Sequence, residues 1–113
     1  MRTILLVDDS SFQRGANRRF LKRAGYKVIS VCDGNEGLQV ASAKSADVIL
    51  LDMLLPTMSG PDVLKALKMN PKTATIPVIV LSSLAQRNEA KLIQEGAFGY
   101  YEKSKMDEND GSG

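Results

Sequence analysis

The sequence predicts a doubly wound α/β domain on a parallel sheet. Ile4-Leu5-Leu6-Val7, Val48-Ile49-Leu50-Leu51 and Val78-Ile79-Val80-Leu81 are apolar at every position, as strands buried on both faces must be. Helical segments separate them, which is the alternation that builds parallel sheets. The third observation is where the runs stop. The first ends at Asp8-Asp9, the second at Asp52 and the third at Ser82, while Phe98-Gly99-Tyr100-Tyr101 leads through Glu102 to Lys103. Carboxyl ends of parallel strands lie along one edge, where such sheets bind ligands. That edge therefore collects three acids, a hydroxyl and an amine.

In chain order, strands are expected near 3–7, 27–31, 47–51, 77–81 and 97–101. Ser10 with Gln13 forms a capping box for the first helix, which leaves both preceding acids available. Taken alone, Asp8 would serve equally well as the N-cap. Phe12, Ala16, Phe20 and Ala24 recur every four residues and give that helix an apolar stripe; Gly25 is placed to end it. Asp33 with Glu36 opens the second helix, Ser59-Gly60-Pro61-Asp62 opens the third, and Gly96 closes a fourth. Right-handed crossovers and a flavodoxin-like strand order 2-1-3-4-5 put the switch point between the first and third strands, where the acids are.

A chain of 113 residues with 43% hydrophobic content can bury one small core. The domain is expected over 1–105, with 106–113 as a flexible tail or linker remnant that lacks an apolar stripe. A net charge of +2 demands neither direct nucleic-acid binding nor a membrane surface. No apolar run approaches the roughly 20 residues of a membrane span, and acids follow the first run too soon for a signal peptide. The lone Cys32 cannot form an internal disulfide, which fits a reducing cytosol, and is expected as a small buried hydrophobe. No glycine-rich phosphate loop follows the first strand, which argues against dinucleotide binding. Arg14, Arg18, Arg19, Lys22 and Arg23 crowd the first helix, either as an ordinary solvated face or as a match for an acidic partner.

Three carboxylates in a partly desolvated cleft repel one another and call for a cation or a raised pKa. Hard oxygen ligands suit Mg²⁺, which is typically held by one or two carboxylates plus phosphate oxygens and water. Metal, ammonium and hydroxyl would converge on an anion, and a transferring phosphoryl group has most need of them. One of the acids could itself be the covalent acceptor.

Asp8-Asp9, Asp52-Met53-Leu54-Leu55-Pro56-Thr57-Met58-Ser59-Gly60, Leu81-Ser82-Ser83 and Tyr100-Tyr101-Glu102-Lys103 together resemble the receiver domain of two-component response regulators, of the chemotaxis-regulator-like kind. The resemblance spans Thr3 to Ser104 with nearly gapless spacing. It implies that Asp52 is the phosphoacceptor and that Asp8, Asp9, Asp52 and the backbone carbonyl of Met53 serve the Mg²⁺ site. It implies that Lys103 pairs with phosphoryl oxygens, that Ser82 hydrogen-bonds one of them, and that Tyr100 is a switch aromatic coupled to Ser82. It also implies a histidine kinase or histidine phosphotransfer protein as donor, since this chain has no histidine, and a downstream output protein or domain as reader. Such a domain is cytoplasmic and no enzyme beyond catalysing its own phosphorylation and dephosphorylation.

The chain departs from the pattern at three places. Ser104 stands where a proline usually follows the lysine, and Ser83 replaces a small apolar residue. The third departure is at 106–113, where the fifth amphipathic helix is expected to be missing or truncated, which would leave an apolar face open to self-association. Two other classes compete with a receiver. An aspartyl-phosphate phosphatase or phosphotransferase usually has a second acid two residues after its nucleophile, where this chain has Leu54. A nonphosphorylated interaction module would not need the acid, hydroxyl and lysine together.

Overall fold

A computed structural model describes residues 2–44, 46–52, 55, 58–82 and 96–102, with backbone alone at 82 and 100–102. Five strands, β1 (Thr3–Val7), β2 (Lys27–Val31), β3 (Val48–Asp52), β4 (Val78–Ser82) and β5 (Gly99–Glu102), form one parallel sheet. Their order is β2-β1-β3-β4-β5, the flavodoxin-like arrangement expected. The helices among the described residues are α1 (Ser11–Arg23), α2 (Gly34–Ala43) and α3 (Gly60–Met69). The expected fourth helix, the fifth-helix position and the 106–113 tail lie outside the described residues.

Strand side chains alternate between two cores because successive Cβ atoms point to opposite faces. Leu5, Val7, Ile49, Leu51, Val78 and Val80 join Val63, Leu64 and Leu67 of α3 and Ala41 of α2 on one face. Ile4, Leu6, Leu50 and Leu81 pack with Leu21 of α1 on the other. Full burial of each large apolar side chain contributes roughly 1.5–3 kcal/mol. Gly34 makes the α2–α3 approach possible: a Cβ there would lie 2.6 Å from Val63 Cγ2.

The helix starts follow the capping residues. Ser10 Oγ accepts from Gln13 N–H at 3.3 Å, Asp33 Oδ1 from Glu36 N–H at 2.8 Å and Ser59 Oγ from Asp62 N–H at 3.3 Å, each satisfying an otherwise orphaned donor. Gly25 follows α1 at φ 98°, a left-handed conformation that glycine adopts without penalty.

Three expectations are corrected. The last three strands begin one or two residues later than expected, so that Asp52 and Ser82 are terminal strand residues. Pro77 has no N–H to give to a ladder; its carbonyl instead accepts from Ile49 N–H. Of the stripe expected on α1, Ala16 is buried and Phe20 packs partly buried against the core, whereas Phe12 and Ala24 are exposed and Asn17 and Leu21 complete the buried face. Four-residue steps drift about 40° around a helix of 3.6 residues per turn, so Phe12 and Ala24 have rotated into solvent. Cys32, expected to be buried, is exposed, because it lies just beyond Val31, the last paired residue of edge strand β2.

Candidate acidic site at the carboxyl edge of the sheet

β1 and β3 are hydrogen-bonded neighbours, with Val7 opposite Leu51. The next residues of each strand, Asp8 and Asp52, therefore emerge side by side at the switch point. Both are buried, Asp8 at 0% and Asp52 at 4% exposure, whereas Asp9 is exposed. One carboxylate oxygen from each of the three lies within 4.8 Å of the others. The three acids expected from separate strand ends thus form a single cluster.

The β1–α1 connection holds Asp8 in place. Ser10 N–H donates to Asp8 Oδ1 at 3.0 Å, an Asx-type turn. Arg14 Nη1 donates to the Asp8 carbonyl at 2.8 Å, and Asp8 N–H bonds Val31 O at 3.1 Å. Arg14 is the residue that sequence reasoning missed. It was visible only as one member of a basic helix, since a side chain reaching a backbone carbonyl leaves no spacing signature.

Ser82 ends β4 one residue past Leu81, and Leu81 is the register partner of Asp52. The backbone of Ser82 thus reaches the same edge as the acids. Tyr100 pairs with Val80, two positions back from that edge on the neighbouring strand. Met53 and Lys103 lie outside the described residues.

An open parallel sheet carrying an acid cluster at its switch point defines a doubly wound α/β domain with a ligand-binding carboxyl edge. The response regulator receiver domain family matches residues 4–110, and the chain belongs to that family. It is 35% identical over 104 residues to the gliding motility regulatory protein of Myxococcus xanthus, covering 91% of this chain but only 13% of that protein. It is 30% identical over 100 residues to the polar-differentiation response regulator DivK of Brucella anthropi, covering 88% of this chain and 81% of DivK. Among solved structures, chemotaxis protein CheY4 of Vibrio cholerae superposes with a TM-score of 0.85 at 32% identity, covering 91% and 87% of the two chains. The Mn²⁺-bound form of response regulator Rcp1 superposes with a TM-score of 0.82 at 25% identity, covering 98% and 91%.

No described helix is long and apolar enough to cross a membrane.

Proposed function

We propose that this receiver domain is a phosphoacceptor switch: Asp52 takes a phosphoryl group from a partner's phosphohistidine, and the altered surface is read by a downstream protein or domain. The convergence of Asp8, Asp9 and Asp52 within 4.8 Å carries this reading. A carboxylate oxygen of Asp52 attacks phosphorus, the P–N bond breaks, and the donor imidazole leaves with the electron pair. The product is an acyl phosphate on Asp52 and a free histidine on the donor.

The donor set fits a hard divalent cation. Two buried acids and one exposed acid offer oxygen ligands and leave a solvent-facing side, as Mg²⁺ prefers. The Mn²⁺-bound form of Rcp1 supports a divalent site in a chain of the same fold. Asp8, Asp9, Asp52 and the Met53 carbonyl would hold the ion, and it would supply neutralising charge to the phosphoryl oxygens. Family resemblance gives Lys103 the role of pairing with a phosphoryl oxygen, Ser82 that of a hydrogen-bond donor to the phosphate, and Tyr100 that of the aromatic that follows Ser82. In this reading the chain works in the cytoplasm and turns over no external substrate.

The test is incubation with Mg²⁺ and acetyl phosphate, followed by intact mass. The expected result is one phosphoryl increment, mapped to Asp52 and absent without the cation. Labelling that persists in Asp52→Asn, or none at all in the wild type, would overturn the reading.

A further inference from the structure

We infer that the cavity between the end of α2 and the loop from α3 to β4 binds a small soluble phosphate monoester, with Lys44 and Lys72 as its charge partners and Ser42 and Thr75 as hydroxyl donors. This is a second site, at the amino edge of the sheet, and it does not depend on the phosphoacceptor reading.

The cavity has a volume of about 430 Å³, within the range of small-molecule sites. Ala46 lies two residues before β3 and Ile76 two before β4, so the cavity they line opens on the edge opposite the acid cluster. Ser42 and Lys44 come from the end of α2, whereas Lys72 and Thr75 come from the loop. Ala46 and Ile76 add an apolar wall. A groove lined by Leu38 and Gln39 continues past Ser42 and Lys72, which leaves room for an organic body beside the anion.

Asn70 ties the two walls together. Its Nδ2 donates to Ser42 Oγ at 3.1 Å, and its Oδ1 accepts from Lys72 N–H at 3.0 Å. Because the Ser42 oxygen accepts from Asn70, the hydroxyl hydrogen is left to donate elsewhere. The loop is also held from within. Thr73 Oγ1 donates to Leu67 O at 2.6 Å, and Lys68 Nζ donates to the carbonyls of Ala74 and Ile76 at 3.1 and 3.0 Å. A ligand therefore meets walls that are already ordered, which lowers the entropic cost of binding.

Among the described residues, no acid lines the cavity and neither ammonium has an acid partner. The helices α2 and α3 both end here, and their last carbonyls contribute roughly half a negative charge each. Two ammonium ions exceed that and leave the cavity net positive. Lysines that only offset helix ends would need neither a cavity nor hydroxyls beside them. The charge of the ligand follows: a phosphate monoester carries about −1.5 to −2 at pH 7, which two ammonium ions match, whereas a carboxylate brings one. Lysine binds phosphate as a point charge, and the hydroxyls donate to the remaining oxygens.

The test is titration of the full chain with AMP, a phosphate monoester with an organic body, read by backbone amide NMR without any divalent cation. Adenosine is the uncharged counterpart. AMP should shift the amides of Ser42, Lys44, Lys72 and Thr75 in a saturating manner, and adenosine should not. The exposed lysines can be changed without touching the core, and Lys44→Gln/Lys72→Gln should weaken AMP binding about tenfold or more through loss of two charge-assisted contacts. Arg18→Gln/Arg19→Gln removes the same charge from α1 and should change the affinity by less than about twofold, because salt screens distant exposed charges. Absence of saturable shifts with AMP, equal shifts with adenosine, or unchanged affinity in the lysine double variant would overturn the site. Vesicles containing phosphatidic acid present the same monoester on a membrane. Co-sedimentation with them that depends on Lys44 and Lys72 would overturn the soluble ligand in favour of a lipid head group; no co-sedimentation, beside AMP binding, supports it.

Discussion

Asp8, Asp9 and Asp52 share a cluster but not an environment, and their substitutions should separate accordingly. Asp9 is exposed, so Asp9→Ala should leave stability close to wild type and raise the Mg²⁺ needed for half-maximal labelling by about 10–100-fold. Titration of acetyl phosphate labelling against Mg²⁺ checks this, and an unchanged midpoint would remove Asp9 from the site. Asp8 carries a second duty, because its Oδ1 holds Ser10 N–H. Asp8→Ala should therefore lose both metal response and about 1 kcal/mol of stability, read by urea unfolding without metal. Asp52→Asn keeps the shape of the side chain but removes the nucleophile and one of three mutually repelling charges, so without metal its unfolding midpoint should be no lower than wild type while labelling disappears. The three acids were legible in the sequence because each terminates an apolar run. Cys32 and Arg14 were not. Exposure of Cys32 depends on β2 lying at the sheet edge, and the reach of Arg14 depends on a backbone carbonyl that no side-chain pattern reports.

Secondary elements were legible for two separate reasons. Unbroken apolar runs located β1, β3 and β4, and hydroxyl or carboxylate caps located the starts of α1, α2 and α3. Strand starts and the buried face of α1 were less legible, since both are fixed by neighbours: pairing around Pro77 sets the start of β4, and the sheet selects Ala16, Asn17 and Leu21. Close approach of elements leaves even less trace in sequence. At Gly34 the 2.6 Å that would separate an added Cβ from Val63 Cγ2 is shorter than real Cβ atoms tolerate. Gly34→Ala should destabilise by about 1–3 kcal/mol through overpacking, despite alanine's better helix propensity. Val63→Ala in the same chain should recover part of that loss. A double-mutant cycle by chemical denaturation measures the coupling, and additive effects would show that α2 and α3 do not meet at this pair.

For the whole molecule, the topology brings residues from distant parts of the chain to one edge, so cation binding and folding should be linked. Asp8 and Asp52 are neighbours only when β1 and β3 pair, and the unfolded chain has no such site. Mg²⁺ at about 100 times its Kd should therefore stabilise the fold by about 2.7 kcal/mol. Thermal unfolding with and without the ion reads this as a raised midpoint, and in Asp9→Ala, with affinity about 10–100-fold weaker, the increment at the same concentration should fall to about 0.4–1.4 kcal/mol. A cation effect of equal size in that variant would place the binding elsewhere. The turn between β1 and α1 adds a mechanical constraint. Ser10 is tied to Asp8 through its N–H and to Gln13 through its hydroxyl, while Arg14 reaches back to the Asp8 carbonyl. Three hydrogen bonds consequently tie the first acid to the first turn of the helix beside it. Whatever reaches the acids finds the first turn of that helix already fixed relative to them. One residue inserted between Asp9 and Ser10 would keep every side chain and lose the common ruler.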